Sequence, residues 1–127
     1  MQLRSLDHLV LTVADIDSTV RFYEQVLGME HLVSEQGRHA LHFGEQKINL
    51  HQQDKTFEPK AALPTPGSAD LCFLTDLPAD ELVAHLEQHS IKLVKGPIAR
   101  LGARSKLVSV YLRDPDGNLL EIANEVA

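Results

Sequence analysis

The sequence predicts an α+β fold made of two copies of one βαβββ unit, and three observations carry that prediction. The chain of 127 residues is long enough for one domain, or two small halves, and too short for a string of domains. Apolar runs bounded by turn residues recur in the same order before and after a proline-rich stretch at residues 55–68. A local match aligns the halves: Asp7-His8-Leu9-Val10-Leu11-Thr12 lies over Ala69-Asp70-Leu71-Cys72-Phe73-Leu74, and Glu24-Gln25 over Glu87-Gln88. Within one domain spanning residues 1–127, module one is placed at about 4–54, the linker at about 55–68 and module two at about 69–127.

In module one, Leu6 to Val13 reads as a buried strand whose pleat puts His8, Val10 and Thr12 on one face and Leu9, Leu11 and Val13 on the other. A helix follows, capped by Asp15 or Asp17, with Val20, Tyr23 and Leu27 at helical spacing and Gly28 at its left-handed end. Three extended stretches come next, at His31 to Ser34, His39 to Phe43 and Lys47 to Gln52. Pro59, Pro64, Pro66 and Gly67 mark the linker, because proline removes a ladder donor and breaks a helix interior. The pattern then restarts with a strand at Asp70 to Thr75 and a helix opened by Pro78 with Leu82 and Leu86 on its apolar side. Strands at Lys92 to Lys95, Lys106 to Leu112 and Leu119 to Ala123 complete module two.

Composition narrows the function. With 43% apolar and 24% charged residues the chain has the make-up of a globular protein. Twelve basic against eighteen acidic side chains, and no Lys/Arg run, argue against nucleic acid as a partner. No window approaches the roughly 20 apolar residues of a membrane span, and no basic amphipathic stretch argues for a membrane surface. A lone cysteine, Cys72, and an amino-terminal stretch without a secretion signal lead to a cytoplasmic expectation. Cys72 itself reads as a buried thiol.

Three residues stand out as carriers of chemistry. His8 interrupts an apolar strand on the face that looks away from the helix. Glu121 stands among small or apolar neighbours, at a point fixed by the turn Asp114-Pro115-Asp116-Gly117-Asn118. His51 shares a face with Asn49 about 7 Å away along the strand. Together His8, His51 and Glu121 offer two imidazoles and a carboxylate, a set that leaves open positions on a divalent ion. The alternatives are a histidine satisfied by a backbone carbonyl and a glutamate in water. His31, His39, His42, His85 and His89 read as surface or helix-face residues without a role. Gly102-Ala103-Arg104-Ser105-Lys106 reads as a hairpin connection, or as a mobile basic loop that holds an anionic substrate.

The stretches Leu6-Asp7-His8-Leu9-Val10-Leu11-Thr12-Val13-Ala14-Asp15, Arg21-Phe22-Tyr23 with Val26-Leu27-Gly28-Met29, and Asp114-Pro115-Asp116-Gly117-Asn118-Leu119-Leu120-Glu121-Ile122 resemble the vicinal-oxygen-chelate superfamily of glyoxalase, bleomycin-resistance and extradiol-dioxygenase proteins. The middle, from Asn49-Leu50-His51 to Pro66-Gly67-Ser68, is similar to a narrower group of single-domain glyoxalase-like proteins labelled dioxygenase-related or virulence-associated. The resemblance implies paired βαβββ modules curled into an open eight-stranded half-barrel that holds a divalent metal, be it Mn, Fe, Ni, Co or Zn. In it the metal chelates two adjacent oxygens of a small-molecule substrate, as in glyoxalase-type lyases, isomerases and dioxygenases. A homodimer is implied as well.

By the same resemblance His8 matches the first-strand ligand of module one and Glu121 the last-strand ligand of module two. Asp70 stands where module two commonly carries histidine, and Asn49 where glyoxalase I carries a second glutamate. Asp70 is then a ligand or an outer acceptor, and His51 a ligand or general base, so the metal set is drawn from His8, His51, Glu121 and Asp70, with Glu121 and His51 as the catalytic pair. The competing expectation is a metal-free protein that sequesters a drug or antibiotic, for which the surplus of carboxylates suits a cationic ligand.

Overall fold

The computed structural model describes residues 1–126, which divide into two units, the first Met1–Gly67 and the second from Ser68 onward. The first runs β1 (His8–Val13), α1 (Ile16–Gln25), β2 (Glu30–Val33), β3 (His39–Phe43) and β4 (Gln46–Gln52), then a short 3-10 turn at Gln53–Lys55. The second runs β5 (Asp70–Leu74), α2 (Ala79–Gln88), β6 (Lys95–Leu101), β7 (Lys106–Arg113) and β8 (Leu119–Val126). Both sheets are mixed and share one topology, β1-β4-β3-β2 and β5-β8-β7-β6, in which only the first pair is parallel. The fold is α+β, and its repeat is the one the sequence predicts.

Each unit buries one face of its sheet under its helix. Ser18 N–H donates to Asp15 Oδ2 at 3.0 Å, so Asp15 rather than Asp17 caps α1. Gly28, at φ +68°, turns the chain out of the helix in a conformation that costs other residues. Val20 and Tyr23 of α1 are buried, as are Leu11, Val13, Leu41, Ile48 and Leu50 of the strands beneath. Val26, one residue before the expected Leu27, takes the last buried place. In the second unit Leu82 and Leu86 of α2 are buried with Val110, Leu112, Leu120 and Ile122. Each such side chain contributes roughly 1.5–3 kcal/mol by leaving water.

The turn before β8 is held by a buried polar lattice. Asp114 Oδ1 accepts from the backbone N–H groups of Asp116 and Asn118, at 2.9 and 3.0 Å, and Asp114 Oδ2 accepts from Asn118 Nδ2 at 2.8 Å. Asn118 Oδ1 in turn accepts from Ala69 N–H at 2.8 Å, which ties the start of β8 to the start of β5. The Asp-Pro-Asp-Gly-Asn signature is therefore a structural device that fixes where Glu121 stands.

The structure corrects several boundaries. β1 begins at His8 rather than Leu6, and the sixth strand lies at Lys95–Leu101 rather than at Lys92 to Lys95. Gly96-Pro97 looks like a stop in sequence, but the β6–β7 register shifts between Lys95 and Ile98, and this irregularity accommodates a proline without a ladder donor. The linker is not a bare crossing, since Phe57 packs back onto the first sheet.

Candidate functional site

Paired residues on adjacent strands share a face, so the register sorts the polar side chains. In the first unit His8 is opposite Lys47, Val10 opposite Asn49 and Thr12 opposite His51. All lie on the face away from α1, which Ala40 and His42 of β3 extend through their pairing with Asn49 and Lys47. In the second unit Asp70 is opposite Leu119 and Cys72 opposite Glu121. Counting from His8 and from Asp70, Asn49 occupies in the first sheet the position of Glu121 in the second.

His8 is exposed, and its Nδ1 lies 2.8 Å from Asp7 Oδ2. That hydrogen bond holds the Asp7 carboxyl below its usual range. A carboxylate on Nδ1 fixes the tautomer that leaves the lone pair on Nε2, the state in which a histidine binds a cation. Glu121 is half-buried, and its Oε2 accepts from Ser109 Oγ at 2.6 Å, a short bond of the charge-assisted kind. Asp70 is exposed at the start of β5.

Cys72 corrects an expectation, because the residue is exposed. Desolvation at its sulfur, then the charge and hydrogen bond of Glu121, then Asp70, push the thiol up to about 11. It is a poor nucleophile at neutral pH.

His51 is buried, at 5% exposure, although it lies on the face that α1 does not cover. Its ring stacks at 4.1 Å on Phe57, and the Arg38 guanidinium lies 3.9 Å over the other partner of that stack, the Phe57 ring. Burial, then Arg38, then Lys60 hold the His51 imidazole below its usual pKa, and its Nδ1 is buried without a hydrogen-bond partner. The register puts His51 four residues from His8, roughly 13 Å along the strands. Among the described residues no three His, Cys, Asp or Glu side chains form a group able to hold a metal ion. By type, an imidazole with carboxylates suits a divalent ion of borderline hardness.

Two cavities flank these residues. The first unit holds one of about 500 Å³, lined among others by Leu32, Arg38, Lys47, Asn49, His51 and Phe57, with no carboxylate in its wall. The second unit holds one of about 400 Å³ bordered by Cys72, Leu74, Arg104, Glu121 and Glu125. Arg104 does not serve there as a spare cation, since its Nη2 donates to both oxygens of Glu125 at 3.1 Å. Sequence reasoning missed Arg38, Lys47, Phe57 and Ser109. The alternation Lys47, Asn49, His51 along β4 was a usable signal for Lys47, whereas nothing local marks Phe57.

Comparison with known proteins accounts for this arrangement. The model of the Glyoxalase/Bleomycin resistance protein/Dioxygenase superfamily matches residues 5–122. The chain belongs to that superfamily. It is 57% identical over 121 residues to virulence protein STM3117 of Salmonella typhimurium, covering 95% of this chain and 84% of that one. The crystal structure of STM3117 superposes with a TM-score of 0.97 over 99% of this chain and 100% of that one. A glyoxalase domain-containing protein of Mycosarcoma maydis, RDO1, is 51% identical over 98% of this chain and 70% of its own length. The lactoylglutathione lyase of Agrobacterium tumefaciens is more distant, at 26% identity and a TM-score of 0.72 over 98% of this chain and 96% of that one. In this chain the Asp114-Pro115-Asp116-Gly117-Asn118 turn and the first strand, both within the matched range, are the parts that position Glu121 and His8.

Proposed function

We propose that this superfamily member is a metal-dependent enzyme of the cytoplasm, a glyoxalase-like lyase or isomerase or a dioxygenase-related protein, acting on a small substrate with vicinal oxygens. The observation that carries the reading is the preparation of two donors. Asp7 orients His8 so that Nε2 is presented, and Ser109 fixes the Glu121 carboxylate. His8 and Glu121, with Asp70 as a further oxygen donor, would hold a divalent ion, which when bound would supply neutralisation of charge on a substrate oxygen. His51 is assigned to the substrate instead of the ion because it is distant from His8 along the sheet, and its lowered pKa leaves the imidazole neutral at pH 7 and free to accept a proton. In that role it accepts a proton as general base while Phe57 keeps water from its ring.

Exposed apolar residues on the faces without helix cover, Val10 at 47% and Leu32 at 46% in the first unit and Leu74 at 55% in the second, support a homodimer as part of this reading. The test is the metal content of protein purified without added metal, for wild type and for His8→Ala, His51→Ala, Asp70→Ala and Glu121→Ala. Stoichiometric metal is expected in wild type and His51→Ala and lost in His8→Ala and Glu121→Ala. Metal that survives both of those substitutions contradicts the assignment. Failure of Mn, Fe, Ni, Co and Zn alike to bind replaces it with the metal-free sequestering protein, a reading that the 500 Å³ cavity also suits.

A further inference from the structure

The cavity of the first unit has a charge at odds with the whole chain. The protein carries a net charge of -6, yet the walls of this cavity hold Arg38 and Lys47 and not one Asp or Glu. Among the described residues no carboxylate forms an ion pair with Arg38 or Lys47, and the charge that acts on Lys47 from outside the cavity wall is that of Asp7. Arg38 is also held in place, since its guanidinium carbon lies 3.9 Å over the Phe57 ring, a cation–π contact that consumes no N–H donor. Asn49 adds an uncharged polar group between Lys47 and His51 along β4, and Leu32 and Phe57 give the wall an apolar part. Beneath them lies His51, nine-tenths buried, with an Nδ1 that meets no partner. A buried polar atom left unpaired costs about 1–3 kcal/mol, which points to a group that pairs with it when the site is filled.

We propose that this cavity is a binding site for a small organic anion, with Arg38 and Lys47 as counter-charges to its oxyanion, Asn49 and His51 as hydrogen-bonding partners, and Leu32 and Phe57 against its carbon body. Two cations and an apolar wall in about 500 Å³ select a carboxylate or phosphonate attached to a short apolar chain, since inorganic ions leave the apolar wall uncovered and neutral molecules leave the cations unpaired. The charge of this cavity favours an anionic over a cationic ligand, whereas the cavity of the second unit is bordered by Glu121 and Glu125. That the anion is the charged end of the enzyme's substrate rests on the function proposed above; binding itself does not.

The experiment is therefore run on the full chain freed of metal with a chelator, which separates its failure from that of the metal assignment. Sodium butyrate, butylphosphonate and the neutral isostere butyramide are titrated while the Arg38 Nε–H and histidine ring signals are followed by NMR. Butyrate or butylphosphonate is expected to shift the Arg38 and His51 signals saturably, and butyramide to leave them in place at equal concentration. The comparison of the two acids decides between carboxylate and phosphonate. Arg38→Gln and Lys47→Gln are each expected to weaken binding at least fivefold, and Lys92→Gln, on an exposed position elsewhere, to leave it unchanged. Circular dichroism of each variant establishes that it is folded. Equal binding of butyramide, absence of saturable shifts with both acids, or full binding in folded Arg38→Gln overturns the proposal.

Discussion

At the residue scale, the chemistry of this protein is set by which neighbour each donor has. Cys72 faces Glu121 across the β5–β8 pair, and its thiol is raised to about 11, so at pH 8 only about one molecule in a thousand carries the thiolate. Alkylation by iodoacetamide is expected to be slow at pH 8 and to rise about tenfold per pH unit up to pH 10. Glu121→Gln removes the negative charge, lowers the thiol pKa and speeds the reaction at pH 8; an unchanged rate in a folded variant would show that Glu121 does not act on Cys72. His51 has the opposite relation to acid. Its folded pKa lies below the ordinary 6.5, so above that pH both folded and unfolded states hold it neutral and its contribution is fully present. As pH falls below 6.5 the unfolded chain takes up the proton first, and stability drops. Urea midpoints measured from pH 7.5 to 5.0 are expected to fall less steeply in His51→Asn than in wild type, and parallel curves would refute the role given to this imidazole.

At the scale of elements, the repeat of strand, helix and three strands was legible because hydrophobic period and turn residues act locally. Asp15, Gly28 and Gly117 do what their residue types predict, whereas Pro78 stands just before the first turn of α2, at its N-cap, with extended ψ. The sixth strand was not legible, because Gly96-Pro97 is locally a stop and only pairing with β7 makes it part of a sheet. Two glycines separate local from tertiary requirements. Gly117, at φ +87°, has open space around a would-be Cβ, so Gly117→Ala is expected to cost only the left-handed conformation, about 1–2 kcal/mol. Gly96, at φ +104°, would drive that carbon into the backbone carbonyl of Ser109 and to 3.0 Å from Val110 Cα. Gly96→Ala is therefore expected to cost clearly more, about 3 kcal/mol or more, and to disturb the Ser109 bond to Glu121. Chemical denaturation of the two variants checks the order, and equal losses would contradict it.

At the scale of the whole molecule, the two units repeat one topology while differing in the chemistry of their open faces. The first carries histidines with Arg38 and Lys47, the second a carboxylate supported by serine. The homodimer included in the proposed reading predicts a mass of twice the 14.1 kDa chain in light scattering at micromolar concentration. A monomer at every concentration tested would remove it. The sequence by itself determined the βαβββ repeat and the superfamily, and singled out His8 and Glu121 as the donors of the proposed reading, because strand alternation, caps and turn residues are properties of neighbours along the chain. Tertiary structure alone decided that Phe57 leaves the linker to cover His51, that Arg38 lies on Phe57, and that Ser109 holds Glu121. Those contacts join residues six to nineteen positions apart through register and folding back of the chain, and no periodicity in the sequence records them.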